Sequence, residues 1–214
     1  MKAIDLFNEW ANLGKDEGME RNHKESVDRM LSVIANKLLK DFSFLDIGCG
    51  NGWVVERILS DFGHNCYEAV GIDGASEMIQ KAKKRQFFLS TLKKPSYFKW
   101  DLNDLHSFDK KFDIVFSMEV LYYLKCPQTA LNTIYNNILK EGGCFIMGID
   151  HYKENIPSLS WPKELNVPMC TFSGAEWEKM FLNAGFSRYD YTHVGGEGLA
   201  SGDWAGTLVL YGEK

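Results

Sequence analysis

The sequence predicts one doubly wound α/β domain, because short apolar runs alternate with stretches of helical periodicity, glycines punctuate the junctions, and no internal repeat interrupts that order. At 214 residues, 45% hydrophobic and 25% charged, the chain supports one substantial core and is short for two independent domains. Residues 1–40 form an N-terminal helical segment in this division, and residues 41–214 the domain proper.

The first convincing helix spans Lys24 to Lys40, where Val27, Met30, Leu31, Ile34 and Leu38 recur at helical spacing. Phe42 to Ile47 is a strand that runs into the glycines of GCGNG, and Val54, Val55, Ile58 and Leu59 resume the helical period. A second such unit pairs a strand at Tyr67–Ile72 with a helix at Ala75–Lys84. Ser96–Trp100 is a short aromatic strand, and Phe112–Met118 is apolar enough to be buried on both faces. Pro127 suits the first turn of a helix reaching Leu139, with Gly142 and Gly143 reversing the chain into a strand at Cys144–Ile149.

Residues 150–171 hold three of the five prolines and little periodicity, so they read as a long loop after a strand end, where substrate contacts concentrate. Ser173 and Glu176 make a capping box for a helix stopped by Gly185. Strands at Ser187–Val194 and Ala205–Tyr211, flanking GGEGLASG, make an antiparallel closing pair.

A net charge of -5 argues against a large cationic footprint, so no nucleic-acid partner is expected and a small-molecule substrate is favoured. The five cysteines are scattered, odd in number and free of C-x-x-C pairs, which suggests neither a metal site nor a disulfide framework. The N-terminus lacks a signal-peptide pattern and no segment is apolar enough to span a bilayer, so the expectation is a cytoplasmic protein without membrane partners.

The chemistry concentrates at Leu45-Asp46-Ile47-Gly48-Cys49-Gly50-Asn51-Gly52. Glycines at this turn admit a ligand close to the backbone, and the helix that follows offers free N–H groups. An acid before the first glycine would repel a pyrophosphate and suits an ammonium or sulfonium ligand; the alternative is that Asp46 caps the turn's own N–H groups. Asp73, at the end of VGID and before Gly74, is placed to accept ribose hydroxyls or to cap the next helix.

Taken in order, LDIGCGNG, VGID, WDLNDL, FDIVFSMEVLYYL and LKEGG resemble the motifs of class I S-adenosylmethionine-dependent methyltransferases over residues 42–149. The resemblance implies a Rossmann-like, mostly parallel seven-stranded sheet with an antiparallel final hairpin, and S-adenosylmethionine as cofactor. It implies that Asp46, Gly48, Cys49 and Gly50 line the methionine and ribose part of the cofactor, that Asp73 beside Gly74 holds the ribose, that Asp101 and Leu102 face the adenine, and that Met118 lies against the cofactor. Tyr122 and Tyr123 would stand beside the methyl group. The N-terminal segment is similar in placement to the closing helices of small-molecule members, with Trp10, Met19 and His23 as lid candidates, or it is a solvated helix docked by Phe7 and Trp10.

His23, His151 and His193 are the available general bases, and no catalytic residue is assigned. The SMEV sequence after the fourth strand departs from the motif of exocyclic amino DNA methyltransferases. Trp161, Phe172 and Trp177 wall a substrate pocket or belong to the core. The expected activity is methyl transfer to a small-molecule oxygen or nitrogen; the alternatives are a protein methyltransferase, a non-catalytic S-adenosylmethionine-binding module and a nucleotide-dependent oxidoreductase.

Overall fold

The strand at Phe42–Ile47 (β1) shows how the fold is assembled. All six of its residues are buried, and they divide by the two-residue period of a strand, Phe42 and Phe44 into one apolar cluster, Leu45 and Ile47 into another. A strand covered on both faces needs parallel neighbours with helical crossovers. The computed structural model, which describes residues 1–88, 93–194 and 204–214, shows that arrangement.

Beside β1 lie Cys66–Asp73 (β2), Ser96–Lys99 (β3), Phe112–Met118 (β4), Leu139–Ile149 (β5), Ser187–Val194 (β6) and Thr207–Glu213 (β7). The order is β3-β2-β1-β4-β5-β7-β6, parallel through β5 and antiparallel at β5–β7 and β7–β6. The sheet is therefore seven-stranded and mostly parallel with an antiparallel end, as the motif resemblance implies.

The helices are Ala3–Asn12 (α1), Asp16–Val33 (α2), Ala35–Leu38 (α3), Trp53–Phe62 (α4), Ser76–Arg85 (α5), Pro127–Thr133 (α6), Trp161–Glu164 (α7) and Gly174–Ala184 (α8). Val27 and Met30 of α2, Val55 and Ile58 of α4 and Ile79 of α5 cover one face of the sheet. Leu131 of α6 and Trp177 and Phe181 of α8 cover the other. Truncating a fully buried phenylalanine costs about 3–5 kcal/mol, so Phe44 and Phe116, with ring centroids 6.0 Å apart, fix β1 against β4. At α8 the expected capping box forms: the Ser173 hydroxyl accepts the Glu176 N–H at 3.1 Å, Glu176 accepts the Ser173 N–H at 2.7 Å, and Gly185 ends the helix at φ 109°.

Three boundaries differ from the sequence expectations. The helix expected at 24–40 begins at Asp16 and breaks at Ile34, because its polar first turns are held by ion pairs rather than by an apolar stripe: Asp16 with Lys81 at 2.6 Å and Glu20 with Arg85 at 2.8 Å. The α6 helix loosens into a π-turn over Ile134–Ile138 before Leu139. Gly142 and Gly143 then lie inside β5: Phe112 pairs with Leu139 and Ile114 with Cys144, so residues 140–143 bulge from the strand instead of reversing the chain ahead of it. Inside the expected 150–171 loop stand a 3₁₀ turn at Ile156–Ser160 and α7. The glycine-rich stretch at 195–202 lies outside the described residues. No described helix is long and apolar enough to cross a membrane.

Candidate active site

The strand order reverses between β1 and β4, and the carboxyl ends of β1, β2, β4 and β5 open there into a cavity of about 610 Å³. Parallel strands thus deliver four acids to one place: Asp46 on β1, Asp73 on β2, Glu119 directly after β4 and Asp150 directly after β5. Asp16, Asp101 and Glu164 also line the cavity, and no lysine or arginine does among the described residues.

The glycine turn after β1 is held by its neighbours. Gly48 and Cys49 donate to the Ile72 carbonyl at 2.8 and 3.0 Å, and Gly50 donates to Asp73 Oδ2 at 2.9 Å. Asp73 Oδ1 accepts the Ala75 N–H at 2.8 Å, beside the start of α5. The capping function considered for Asp46 is therefore performed by Asp73, whose oxygens each retain capacity for one more hydrogen bond. Gly48 sits at φ 78°, and a Cβ there would meet Val120 at 2.1 Å; at Gly50 a Cβ would meet nothing within 4 Å, which leaves its backbone open to the cavity.

Asp46 is 2% exposed. Its carboxyl makes no hydrogen bond with the described residues, and burial, reinforced by the Asp73 charge, pushes it well above the usual range. Burial raises Asp73 as well, opposed by the Ala75 and Gly50 N–H bonds, and burial with the Asp73 and Asp46 charges pushes the Cys49 thiol up. Asp46, buried, and Asp73, half-buried, thus stand together with no lysine or arginine among the described lining residues.

The other half of the cavity has a different lining. Glu119 occupies left-handed backbone at φ 61°, unusual outside glycine. Its Oε2 accepts the Tyr122 hydroxyl at 2.7 Å, and its Oε1 accepts the Asp150 N–H. Burial raises the Glu119 carboxyl far above its ordinary value, helped by the Asp150 charge. Burial also pushes Asp150 up to about 6. Tyr122, Tyr123, Trp161 and Trp204 add aromatic walls.

Helices α1 and α2 roof the cavity through Phe7, Trp10, Met19 and His23. The roof is tied down at several points: Asp16 accepts from Asn51 Nδ2 at 3.0 Å as well as from Lys81, and Asn8 Oδ1 accepts the Glu77 N–H of α5 at 2.9 Å.

Asp46, Gly48, Cys49, Gly50, Asp73, Gly74, Asp101, Leu102, Met118, Trp10 and Met19, all singled out from the sequence, line this one cavity. Asp101 also accepts the Asn103 N–H at 2.9 Å, which starts a 3₁₀ turn. Among the candidate bases, only His23 lines the cavity, and burial lowers it to about 4. Both ring nitrogens of His151 are engaged, with the Ser158 carbonyl at 2.9 Å and the Thr171 hydroxyl at 2.8 Å. Trp161 reaches the cavity, whereas Trp177 is fully buried in the core with Phe172 packed edge-on against it. Asp150 and Glu164 were not singled out, though Gly148-Ile149-Asp150 repeats the Gly71-Ile72-Asp73 pattern of a strand ending in an acid.

A methyltransferase-domain family model matches residues 17–190. A tRNA U34 carboxymethyltransferase of Helicobacter pylori is 31% identical over 106 residues, which are 49% of this chain and 40% of that protein, so the chain matches well under half the length of such relatives. The solved complex between the Haloferax volcanii Trm112 methyltransferase activator and a methyltransferase contains a chain that superposes with a TM-score of 0.79 at 27% identity, covering 97% of this chain and 96% of that one. Magnesium protoporphyrin IX methyltransferase from Synechocystis, solved with S-adenosylhomocysteine bound, shares the fold with a TM-score of 0.66 at 18% identity, over 90% of this chain and 83% of that one.

These relatives overturn the expectation of a small-molecule substrate without nucleic acid, since they include enzymes named for tRNA and a complex with a protein activator. Net charge averages over the chain: residues 81–99 carry Lys81, Lys83, Lys84, Arg85, Lys93, Lys94 and Lys99 and no acid inside a chain whose net charge is -5, with Lys81 and Arg85 paired to Asp16, Glu20 and Glu56 of other elements. Fold, motif order and family model agree that the chain belongs to the class I S-adenosylmethionine-dependent methyltransferases.

Proposed function

We propose that this enzyme transfers a plain methyl group from S-adenosylmethionine to a base of an RNA. The observation that carries this reading is a single cavity whose cofactor half is acidic and whose acceptor half is acidic and aromatic, with no cation among the described lining residues. S-adenosylmethionine supplies an electrophilic methyl on a sulfonium, and the protein's task is to hold donor and acceptor in line while excluding water.

In this reading Asp46 faces the positive end of the cofactor, and Gly48, Cys49 and Gly50 give its backbone room. Asp73, beside Gly74, accepts the ribose hydroxyls, while Asp101 and Leu102 meet the adenine edge. Met118 packs from the side of β4, and Trp10 and Met19 close from above as parts of a lid formed by residues 1–40. Aromatic rings such as Tyr122, Tyr123 and Trp161 suit a base taken out of its stack.

The relatives named for tRNA support an RNA acceptor, as does the basic stretch at 81–99, where Phe87 and, on the edge strand β3, Phe98 are exposed. Their carboxymethyl chemistry does not transfer. A carboxymethyl group carries a carboxylate, and no lysine or arginine among the described lining residues would meet it.

The test offers the purified protein S-adenosylmethionine labelled in the methyl group, with total tRNA or with a protein extract. Label that becomes ribonuclease-sensitive is expected, and a carboxylated S-adenosylmethionine should neither react nor compete. Label found only in the protease-sensitive fraction would reject the RNA assignment.

A further inference from the structure

Aromatic rings in contact form a continuous belt from the roof of the cavity to α7. Phe7 of α1 meets Tyr123 with centroids 5.3 Å apart, Tyr123 meets Tyr122 at 4.4 Å, Tyr122 meets His151 at 5.3 Å, and His151 meets Trp161 at 6.2 Å with the two ring planes 25° apart. Phe7, Tyr123 and Trp161 line the cavity, and the last two are half-buried. His151 is fully buried and lines none of it, yet it is the link between the tyrosine pair and Trp161.

Hydrogen bonds hold that link at both ring nitrogens. Nδ1 lies 2.9 Å from the Ser158 carbonyl oxygen and Nε2 2.8 Å from the Thr171 hydroxyl. A carbonyl only accepts, so the hydrogen sits on Nδ1, and Nε2 of the neutral ring accepts from Thr171. Burial favours the neutral ring by lowering its pKa. Ser158 belongs to the 3₁₀ turn at Ile156–Ser160 that leads directly into α7 at Trp161. Thr171 follows Cys170, whose N–H donates to the Tyr122 carbonyl at 2.7 Å. One imidazole thus fastens two parts of the 150–171 segment to each other while touching a ring from the turn after β4 and a ring from α7.

We propose that His151 is a positioning residue for the methyl acceptor: held with its hydrogen on Nδ1, it fixes Trp161 relative to Tyr123, so that a planar ring of the acceptor is seated against them. The role rests on the reading of an RNA base as acceptor. His151 acts through the rings alone, and a misplacement of about 1 Å from a change remote from the chemistry can cost about a hundred-fold in rate. The glycine turn after β1 and Asp73 lie outside the belt, so cofactor affinity is independent of it.

Thr171→Val removes the donor to Nε2 and leaves every ring in place, whereas Thr171→Ser keeps the donor. With total tRNA and methyl-labelled S-adenosylmethionine, Thr171→Val should raise the KM for tRNA about ten-fold, the scale of one lost hydrogen bond, with S-adenosylhomocysteine affinity unchanged, and Thr171→Ser should match the wild type. Fluorine NMR on the full chain labelled with fluorotryptophan, with Trp161 assigned by Trp161→Phe, needs no acceptor: Thr171→Val should shift the Trp161 resonance and Thr171→Ser should not. Nitrogen NMR of the His151 imidazole should show a neutral ring with its hydrogen on Nδ1. A Thr171→Val protein that melts lower but keeps the wild-type KM and the wild-type Trp161 resonance would reduce His151 to a structural role and overturn the proposal, as would a cationic or Nε2–H ring at neutral pH. A wild type that labels no tRNA would remove the RNA reading instead, and the two NMR measurements would still decide the positioning role.

Discussion

The two ends of the sheet treat the same functional group in opposite ways. At the amino end of β4, the Asp113 Oδ2 accepts the Ser43 N–H at 2.8 Å, the Ser43 hydroxyl at 2.7 Å, the Tyr67 hydroxyl at 2.6 Å and the Lys140 ammonium at 2.8 Å. These donors come from β1, β2 and β5, so one half-exposed carboxylate ties four strands, and they hold it well below the usual carboxylate range although burial opposes them. At the carboxyl end, Asp46 and Asp150 lie buried and Glu119 half-buried with no cation among the described lining residues, and all three are raised. At the first end the chain supplies both the donors and the cation, whereas at the second it supplies some donors and no cation among the described lining residues. Charge satisfaction therefore separates the stabilising end from the working end more clearly than residue type does.

The largest expected effect lies at the first end. Asp113→Ala should cost about 2–3 kcal/mol, the scale of hydrogen bonds to a charged group, which lowers the melting temperature by roughly 4–12 °C in a chain of this size. Cofactor affinity should not change. The sign with pH is definite: a depressed folded pKa contributes stability above the ordinary carboxylate value, and that stability is lost as pH falls through the folded value. Urea unfolding of wild type and variant should therefore differ at pH 7 and converge in acid; a difference that persists unchanged in acid would show that packing, not charge, is responsible.

A smaller effect is expected at the roof. Gly14, at φ 72°, joins α1 to α2, and the roof residues Trp10 and Met19 line the cavity on either side of that junction. If residues 1–40 close over the cofactor, S-adenosylhomocysteine should slow limited proteolysis near Gly14 and Gly18 about ten-fold, by mass action on the closed state. Equal cleavage with and without it would leave the segment as a docked helix pair.

The sequence made the β-strands at 42–47 and 112–118 legible because a run buried on both faces has a composition that few other elements share. Local pattern also made the glycine turn, Asp46 and Asp73 legible, as a glycine turn after a strand and an acid at a strand end, whereas Asp101, Leu102, Met118, Trp10 and Met19 were reached only through the family resemblance. Glu119 was not recognisable as part of the cavity, because left-handed backbone at a glutamate leaves no trace in composition. Asp150 was overlooked although its Gly-Ile-Asp repeats that of Asp73; only the pairing of β5 with β4 brings it beside Glu119. The start of α2 was hidden for a related reason, as Asp16 and Glu20 are held by Lys81 and Arg85, more than sixty positions away. The basic stretch was present in the sequence and was lost by averaging it into net charge.

The most direct test of the contrast between the two ends is the thermal unfolding of Asp46→Asn with and without S-adenosylmethionine. Its raised pKa means that the native state loses stability as pH rises through the ordinary carboxylate value toward the folded one, so removing the charge should stabilise the ligand-free protein at pH 7. A gain of about 1 kcal/mol, or roughly 2–4 °C, is expected, together with a smaller stabilisation by the cofactor. A variant that melts lower than wild type without ligand, and is stabilised just as strongly with it, would contradict the claim that this end is built around a missing positive charge.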